Sequence, residues 1–461
     1  MSFKTNANMV VLISLLLSSN IFAGGRMMQE SSTETWLKQS AAFDIQKIIE
    51  NISPLDADKG AIIAARTRVN PNYYYHWVRD AGITMDALSA VYPERSAEEK
   101  LALRKLFFDY VSFCKKIQKT KTLTGLGEPK FKVDGSAFND PWARPQNDSP
   151  AMRAISLIEW ANQLIADGHA KEVSAILYPL DASSEKPIKL DLDYIVAHWR
   201  DASYDLWEEV KGKHFYALMV ERRALLLGAR LAHYFRDDAS AEIYQREAKA
   251  IEPLLLSFWD EKRGFIVETL DREGGVNYKH SNIDAGVVLG LLHGDMQDGF
   301  LSWDDPRVVA TIETVIHAFQ QLYTINQRNT IPGFAIGRYP EDKYAGSNFD
   351  GGNPWTLCTL AIAEAYYRYA NALNAKGQTD AAVIIQKRAD QFVERVRYHA
   401  HVNGSLNEQI DRNTGYMTSV EDLTWNYAAL LQARQSMLGL LLSGKTTDKG
   451  HYFTTNNEQG V

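Results

Sequence analysis

Apolar side chains recur every three to four residues through most of this chain, and capping or turn residues close each run. The pattern predicts about twelve helices and almost no strong strand. The first helix runs from about Ser32 to Asn51 on an apolar set of Trp36, Leu37, Phe43, Ile45, Ile48 and Ile49. The second is expected to start near Asp80, and the third to span Ala97 to Lys119. Asp148-Ser149-Pro150 reads as an N-cap followed by proline in the first turn of the fourth. The fifth ends near Trp199, the sixth covers Lys213 to Tyr234, and the seventh Ala239 to Trp259. A hairpin-like stretch, Gly264 to Val276, precedes the eighth near Asn282. The ninth runs from Pro306 to about Ile325, the tenth begins at Asn353-Pro354, the eleventh at Thr379 and the twelfth near Asp422.

The unusual residues are distributed unevenly among the connections. Plain charged turns lead into the odd helices, whereas Gly-, Pro- and aromatic-rich loops lead into the even ones. These loops carry Tyr73–Asp80, Gly125–Gln146, Tyr204–Glu209, His280–Asp284, Gly337–Asp342 and the segment around Glu408. Helices joined by short connections alternate in direction, so all six loops emerge at one end. Six hairpins closed in a ring would gather them around one mouth, which predicts an all-α (α/α)6 toroid with even helices inside and odd helices outside. A solenoid of stacked hairpins is the alternative, but it does not explain functional-looking loops at both chain ends.

Length alone allows two or three domains. No Pro/Ser-rich linker or low-complexity block divides the chain, so one all-α catalytic domain is expected over 24–445. The N-terminus reads as a secretory leader over 1–23, with Lys4, the apolar run Met9 to Leu17 and a small residue at Ala23. That run is too short to span a bilayer. The expectation is an exported protein, extracellular or periplasmic, with no membrane attachment after cleavage. A short polar tail follows over 446–461, with no starch-binding module.

A net charge of −7 without a Lys/Arg stripe gives no footprint for nucleic acid. The 22 Tyr and 10 Trp suit sugars, whose CH faces and hydroxyls match flat rings with polar edges. Cys114 and Cys358 read as small core residues, neither a disulfide framework nor a zinc site. Asn51-Ile52-Ser53 and Asn403-Gly404-Ser405 fit the glycosylation pattern.

The chemistry centres on Asp205, Trp207, Glu208 and Glu209. Like charges raise a carboxyl pKa, and an indole that excludes water does the same, so this run is a way to build an acid. Glycoside hydrolysis requires a second carboxyl across the scissile bond, and Glu408 supplies the candidate base. Arg79 with Asp80, and Arg338 with Asp342, each set a fork donor near an acceptor, suited to sugar hydroxyls. Tyr73, Trp142, Trp207 and Trp425 are candidate walls.

Several long motifs occur in order: YYYHWVRD at Tyr73–Asp80, GLGEPKFKVDGSAF at Gly125–Phe138, WARPQNDSPAMR at Trp142–Arg153 and YDLWEE at Tyr204–Glu209. They continue with GRYPED at Gly337–Asp342, NPWTLCTL at Asn353–Leu360, and Glu408-Gln409 followed by DLTWNYAALL at Asp422–Leu431. Through them nearly the whole mature chain resembles the glucoamylases of glycoside hydrolase family 15. The resemblance implies an exo-acting, inverting hydrolase that releases β-D-glucose from the non-reducing ends of α-1,4-glucans (starch, glycogen, maltodextrins), with slower α-1,6 cleavage. It implies Glu208 as general acid and Glu408 as general base, about 6.5–9.5 Å apart. Arg79 and Asp80 would hold the 4- and 6-hydroxyls of the terminal glucose and Arg338 its other hydroxyls. Glu209 would bind the next sugar, Asp205 and Trp142 would support the acid, Tyr73 would lie beneath the oxocarbenium ion, and Trp425 would wall the site. No cofactor or metal is implied, and a monomer is expected.

Two departures from the family pattern stand out. The loop KYAGSNFDGG at Lys343–Gly352 is longer than the compact form of fungal relatives, and His76 replaces a smaller polar residue. Isomalto-oligosaccharide, dextran or trehalose cleavage on the same ring, or a non-catalytic glucan-binding toroid, are the alternatives; loss of one carboxylate would mark the last, and both are present.

Overall fold

The computed structural model describes residues 32–179, 186–328 and 331–443. The leader at 1–23 and the tail at 446–461 lie outside the described residues.

Twelve helices correspond to the periodic runs. They are α1 (Ser32–Glu50), α2 (Val78–Val91), α3 (Ala97–Lys119), α4 (Asp148–Ala166), α5 (Pro187–His198) and α6 (Phe215–Tyr234). The chain continues with α7 (Asp238–Leu256), α8 (Ala285–His293), α9 (Pro306–Gln320), α10 (Thr356–Ala375), α11 (Thr379–His399) and α12 (Thr424–Ser443). The even helices pack side by side in sequence, α2 on α4, α4 on α6, α6 on α8, α8 on α10 and α10 on α12. Contact between α12 and α2 closes the ring, which excludes the open solenoid. The odd helices lie outside, α7 on α6, α11 on α10 and α1 on α12.

Burial explains the division. Every residue of α8 is buried, and so are nearly all of α2. These helices are wetted on neither face, as an inner ring requires. The outer α3 instead buries a stripe of Leu103, Phe107, Tyr110, Val111, Cys114 and Ile117 and presents charged residues to solvent. Ser96 and Glu99 form its capping box, the side chain of each accepting from the backbone of the other. One contiguous apolar cluster runs from Leu37 to Met437.

Several boundaries move from their expected places, for identifiable reasons. Asp148 is not the N-cap of α4; Asn147 takes that position, and the Asp148 carboxylate is drawn instead to Arg79. Asp284 caps α8 by accepting from the Gly286 amide, so the helix starts three residues after Asn282. The ninth helix stops at Gln320, and a single turn, Thr324–Gln327, follows it. The stretch Gly264–Val276 is not one hairpin. Strand β5 (Trp259–Asp260) pairs with β6 (Phe265–Ile266), whereas β7 (Thr269–Gly275) joins β3 (Ser203–Tyr204) and β4 (Val210–His214) in the order β3-β4-β7. Two further antiparallel pairs lie in loops before even helices: β1 (His76–Trp77) with β2 (Lys130–Phe131), and β8 (Asn407–Ile410) with β9 (Met417–Glu421).

Cys114 and Cys358 are buried and unpaired. Asn51 is buried too, its amide donating to Asp422 O at 3.0 Å and Thr424 Oγ1 at 2.9 Å, so it is no acceptor for a glycan. His76 is enclosed beneath the mouth, where Nδ1 accepts from the Ile62 amide at 3.0 Å. Burial, assisted by Arg153, lowers its pKa to about 3, which makes it a neutral packing residue.

Candidate active site

All six loops that precede even helices meet over the ring, and the short strands stiffen them. Glu208 occupies the turn between β3 and β4 at φ 66°, a left-handed conformation uncommon for a residue with a side chain. Its Oε1 accepts from Trp77 Nε1 at 2.9 Å and Gln146 Nε2 at 3.0 Å, with Arg79 Nη2 at 4.0 Å. Among the described residues Oε2 makes no hydrogen bond.

The neighbours that the sequence groups with Glu208 point elsewhere. Asp205 Oδ1 accepts from the amides of Glu209 and Val210 at 2.7 and 3.0 Å. Burial would raise this carboxyl, but Lys279, His214 and the two amides outweigh it and hold Asp205 at about 2. Glu209 turns to the opposite wall, with Oε1 2.9 Å from Arg338 Nη2 and Oε2 accepting from the Tyr339 hydroxyl at 2.6 Å. The Trp207 indole donates to Asp284 Oδ1 at 2.8 Å. The expected crowding of three carboxylates and an indole therefore does not form. Trp77, two residues before Arg79, is the aromatic on Glu208, and Trp142 backs it with ring centroids 6.3 Å apart. Trp142 remains 38% exposed, the rim position expected of a sugar-stacking ring.

Glu408 lies in β8 and is fully buried. Its Oε2 accepts from Gln409 Nε2 at 3.0 Å and from Ser419 Oγ at 2.5 Å across the β8–β9 ladder, while Oε1 is buried without a partner. Burial pushes this carboxyl up to about 7, against Ser419, Tyr73, Arg338 and Gln409, which favour its charged form. The candidate base is thus itself a carboxyl raised by burial. Tyr73 and Trp77, with ring centroids 5.6 Å apart, form the floor between the two carboxyls.

The Arg79 guanidinium is committed on one side, Nη1 donating to Gln146 Oε1 and Asp148 Oδ2, each at 2.9 Å. Asp80 is left with Arg79 Nε at 3.9 Å as its ion-pair contact; burial raises it to about 6 despite that cation. Asp342 grips Arg338 through Nε at 2.8 Å and Nη2 at 2.6 Å, which orients the guanidinium instead of freeing Asp342 for sugar. Trp207, Tyr339, Tyr344 and Trp355 box Arg338 at 5.3–5.5 Å. Trp425 reaches the interior, its ring 6.0 Å from His293 and its Nε1 buried without a partner.

Sequence reasoning missed several of these groups. Ser419 was detectable only through the β8–β9 pairing, where Gln409 opposes Thr418. Tyr344 comes from the long 343–352 loop and meets the Tyr73 hydroxyl at 3.0 Å. Lys130 sits over Trp142 at 3.1 Å, where burial lowers its pKa to about 8 although Glu208 opposes that shift. The four rings around it, Tyr75, Trp77, Phe138 and Trp142, leave no sign in a Lys-Phe-Lys string.

Comparison with known proteins agrees with this geometry. The sequence profile described as "Glycosyl hydrolases family 15" matches residues 45–435. A glucoamylase of Blastobotrys adeninivorans is 35% identical over 445 residues, covering 86% of this chain and 71% of that protein. Glucoamylase 1 of Rhizopus oryzae is 35% identical over 442 residues, covering 89% and 72%. The solved structure of Hormoconis resinae glucoamylase superposes with a TM-score of 0.77 at 30% identity, over 88% of this chain and 74% of that one. A closed ring of helical hairpins, the carboxyls at its mouth and a profile spanning most of its length converge on one conclusion: the chain belongs to glycosyl hydrolase family 15.

Proposed function

We propose that this chain is a glucan 1,4-α-glucosidase that removes β-D-glucose from non-reducing ends by exo-action with inversion, Glu208 acting as general acid and Glu408 as general base. The observation that carries this reading is a matched pair of half-occupied carboxyls. Glu208 has Oε1 pinned by Trp77 and Gln146; Glu408 has Oε2 pinned by Ser419 and Gln409. Each therefore offers one oxygen to the reaction, on opposite sides of the Tyr73–Trp77 floor. Glu208 Oε2 carries the proton to the glycosidic oxygen as the C1–O bond breaks. Glu408 Oε1 takes a proton from the water that attacks C1 from the other face.

The remaining groups fit terminal-glucose recognition. Arg79 Nη2 and the Asp80 carboxyl would take the 4- and 6-hydroxyls, and Arg338 the other hydroxyls. Glu209, held by Arg338 and Tyr339, would meet the next sugar. Asp342 would act by orienting Arg338, Tyr73 would face the oxocarbenium ion, and Trp142 and Trp425 would line rim and interior. The catalytic domain would extend over 24–445, with the chain exported as a monomer. The leader-like 1–23 supports export, and among the described residues no helix is long and apolar enough to cross a membrane.

The test is Glu208→Gln. Replacement of the proton donor should lower kcat on maltotriose by about 10²–10⁴-fold, the usual worth of general acid catalysis, while titration calorimetry still detects maltose binding. Undiminished hydrolysis would remove the assignment.

A further inference from the structure

The turn that carries Glu208 rests on a buried charge cluster that takes no part in the chemistry above. Lys279 is only 5% exposed, and Asp205, Asp284 and Glu268 around it are buried as well. Its ammonium lies 3.0 Å from Asp205 Oδ2 and 2.6 Å from Asp284 Oδ2. These two carboxylates keep it charged although burial opposes that. Glu268 lies beside the cluster without pairing to Lys279: its oxygens make no hydrogen bond, and burial together with Asp284 pushes its carboxyl well up.

Both carboxylates transmit this anchor to the catalytic turn. Asp205 accepts the Glu209 and Val210 amides through its side chain, and the Glu208 amide through its own carbonyl at 2.9 Å. Asp284 accepts the Trp207 indole at 2.8 Å and the Gly286 amide at 2.6 Å, so the same ammonium reaches the N-terminus of α8. A glutamate at φ 66° persists only where its surroundings over-determine it. Without the ammonium, Asp205 is a buried anion lacking its partner, which must take up a proton or move toward water. Either change weakens the acceptor that closes the turn. Glu408, on β8, is held by separate contacts and is unaffected.

We propose that Lys279 is a positioning residue for hydrolysis: by bridging Asp205 and Asp284 it locks the turn that aims Glu208 Oε2 at the leaving oxygen. The proposal rests on the reading of Glu208 as the acid, and it places the larger effect on proton delivery and the smaller on the Glu209 contact, whose amide Asp205 also holds.

The test compares wild type, Lys279→Met and Glu208→Gln on maltose and on α-glucosyl fluoride. Fluoride leaves with little protonation, so turnover of the fluoride needs Glu408 and the attacking water but hardly needs the acid. Lys279→Met is expected to lower kcat on maltose about 100-fold with KM within about threefold, and kcat on the fluoride by less than about fivefold, since misplacement by about an ångström has that cost. Parallel loss on both substrates, or a change confined to KM, overturns the proposal. Glu208→Gln separates the premises: if it also loses both substrates alike, the acid assignment falls first. Asp205→Asn/Lys279→Met removes both partners of the Lys279–Asp205 pair and breaks the bridge to Asp284, while the neutral amide oxygen that replaces Oδ1 is a weaker acceptor for the Glu209 and Val210 amides. Should Lys279→Met not fold, this double variant decides alone. A maltose-to-fluoride ratio lowered at least about tenfold supports the proposal, and a smaller change overturns it.

Discussion

Ser419→Ala removes the hydroxyl that contributes most to stabilising the charged form of the proposed base. Ser419 Oγ donates to Glu408 Oε2 at 2.5 Å, and the carboxyl already stands at about 7 because burial outweighs its donors. A hydrogen bond to a charged group contributes roughly 1.5–3 kcal/mol, and one pKa unit corresponds to about 1.4 kcal/mol. Loss of this donor would therefore raise Glu408 by about one to two units. Gln409 and Tyr73 remain as partial substitutes, which favours the lower end. A base works only when deprotonated, so the acid limb of the kcat/KM profile should move about one unit to higher pH, with the alkaline limb in place. On the acid side kcat/KM should fall about tenfold, and near the plateau it should hardly change. The assay is kcat/KM for maltotriose across the full pH range. Ser419 itself sits at φ 65°, so Ser419→Gly serves as a control that loses the hydroxyl while relaxing the backbone. The two variants should shift alike. An unmoved acid limb, or one moved to lower pH, would refute Glu408 as the base.

Two further predictions concern Glu408 and Asp44 of the outer helix α1. Glu408→Gln should lower kcat by about 10²-fold or more, and azide, which needs no base, should restore turnover with β-glucosyl azide as product; an α-azide or a wild-type rate would contradict the assignment. Asp44 in α1 is raised from 3.8 to about 8 by burial, with Ser40 and Arg434 opposing. A carboxyl raised on folding contributes stability that is full below its unfolded pKa and is lost as pH rises toward 8. Asp44→Asn should therefore gain in Tm over wild type progressively between pH 4 and pH 8, as followed by calorimetry; a pH-independent difference would show that Asp44 is not the titrating group.

The toroid was legible because its evidence is periodic and repeated. Helices such as α3 and α11 carry an apolar stripe over many turns, and the aromatic loops recur before every even helix. Boundaries were less legible where a side chain serves two masters: Asp148 looks like a cap, but a buried arginine on the adjacent inner helix claims it. Apart from β6 and β7, which fall within the hairpin-like stretch, the strands escaped notice because two to five residues cannot display an alternation, and β1 and β4 are also set by partners far along the chain, β2 and β7. The candidate carboxyls themselves were visible in sequence, yet their surroundings were not. Adjacency suggested that Asp205, Trp207 and Glu209 act on Glu208. In the fold, a left-handed turn sends these side chains in different directions, and Trp77 and Gln146 take their place. Lys279 and Ser419 become meaningful only once the loops are stacked.

The stereochemistry of the first product tests the central claim most directly. Proton NMR of maltotetraose digestion, read in the first minutes before mutarotation, resolves the anomers of released glucose. The account predicts β-glucose, since water activated by Glu408 attacks from the face opposite the bond that Glu208 protonates. Early α-glucose would mean retention, and a pair of carboxyls separated by water would have to be abandoned.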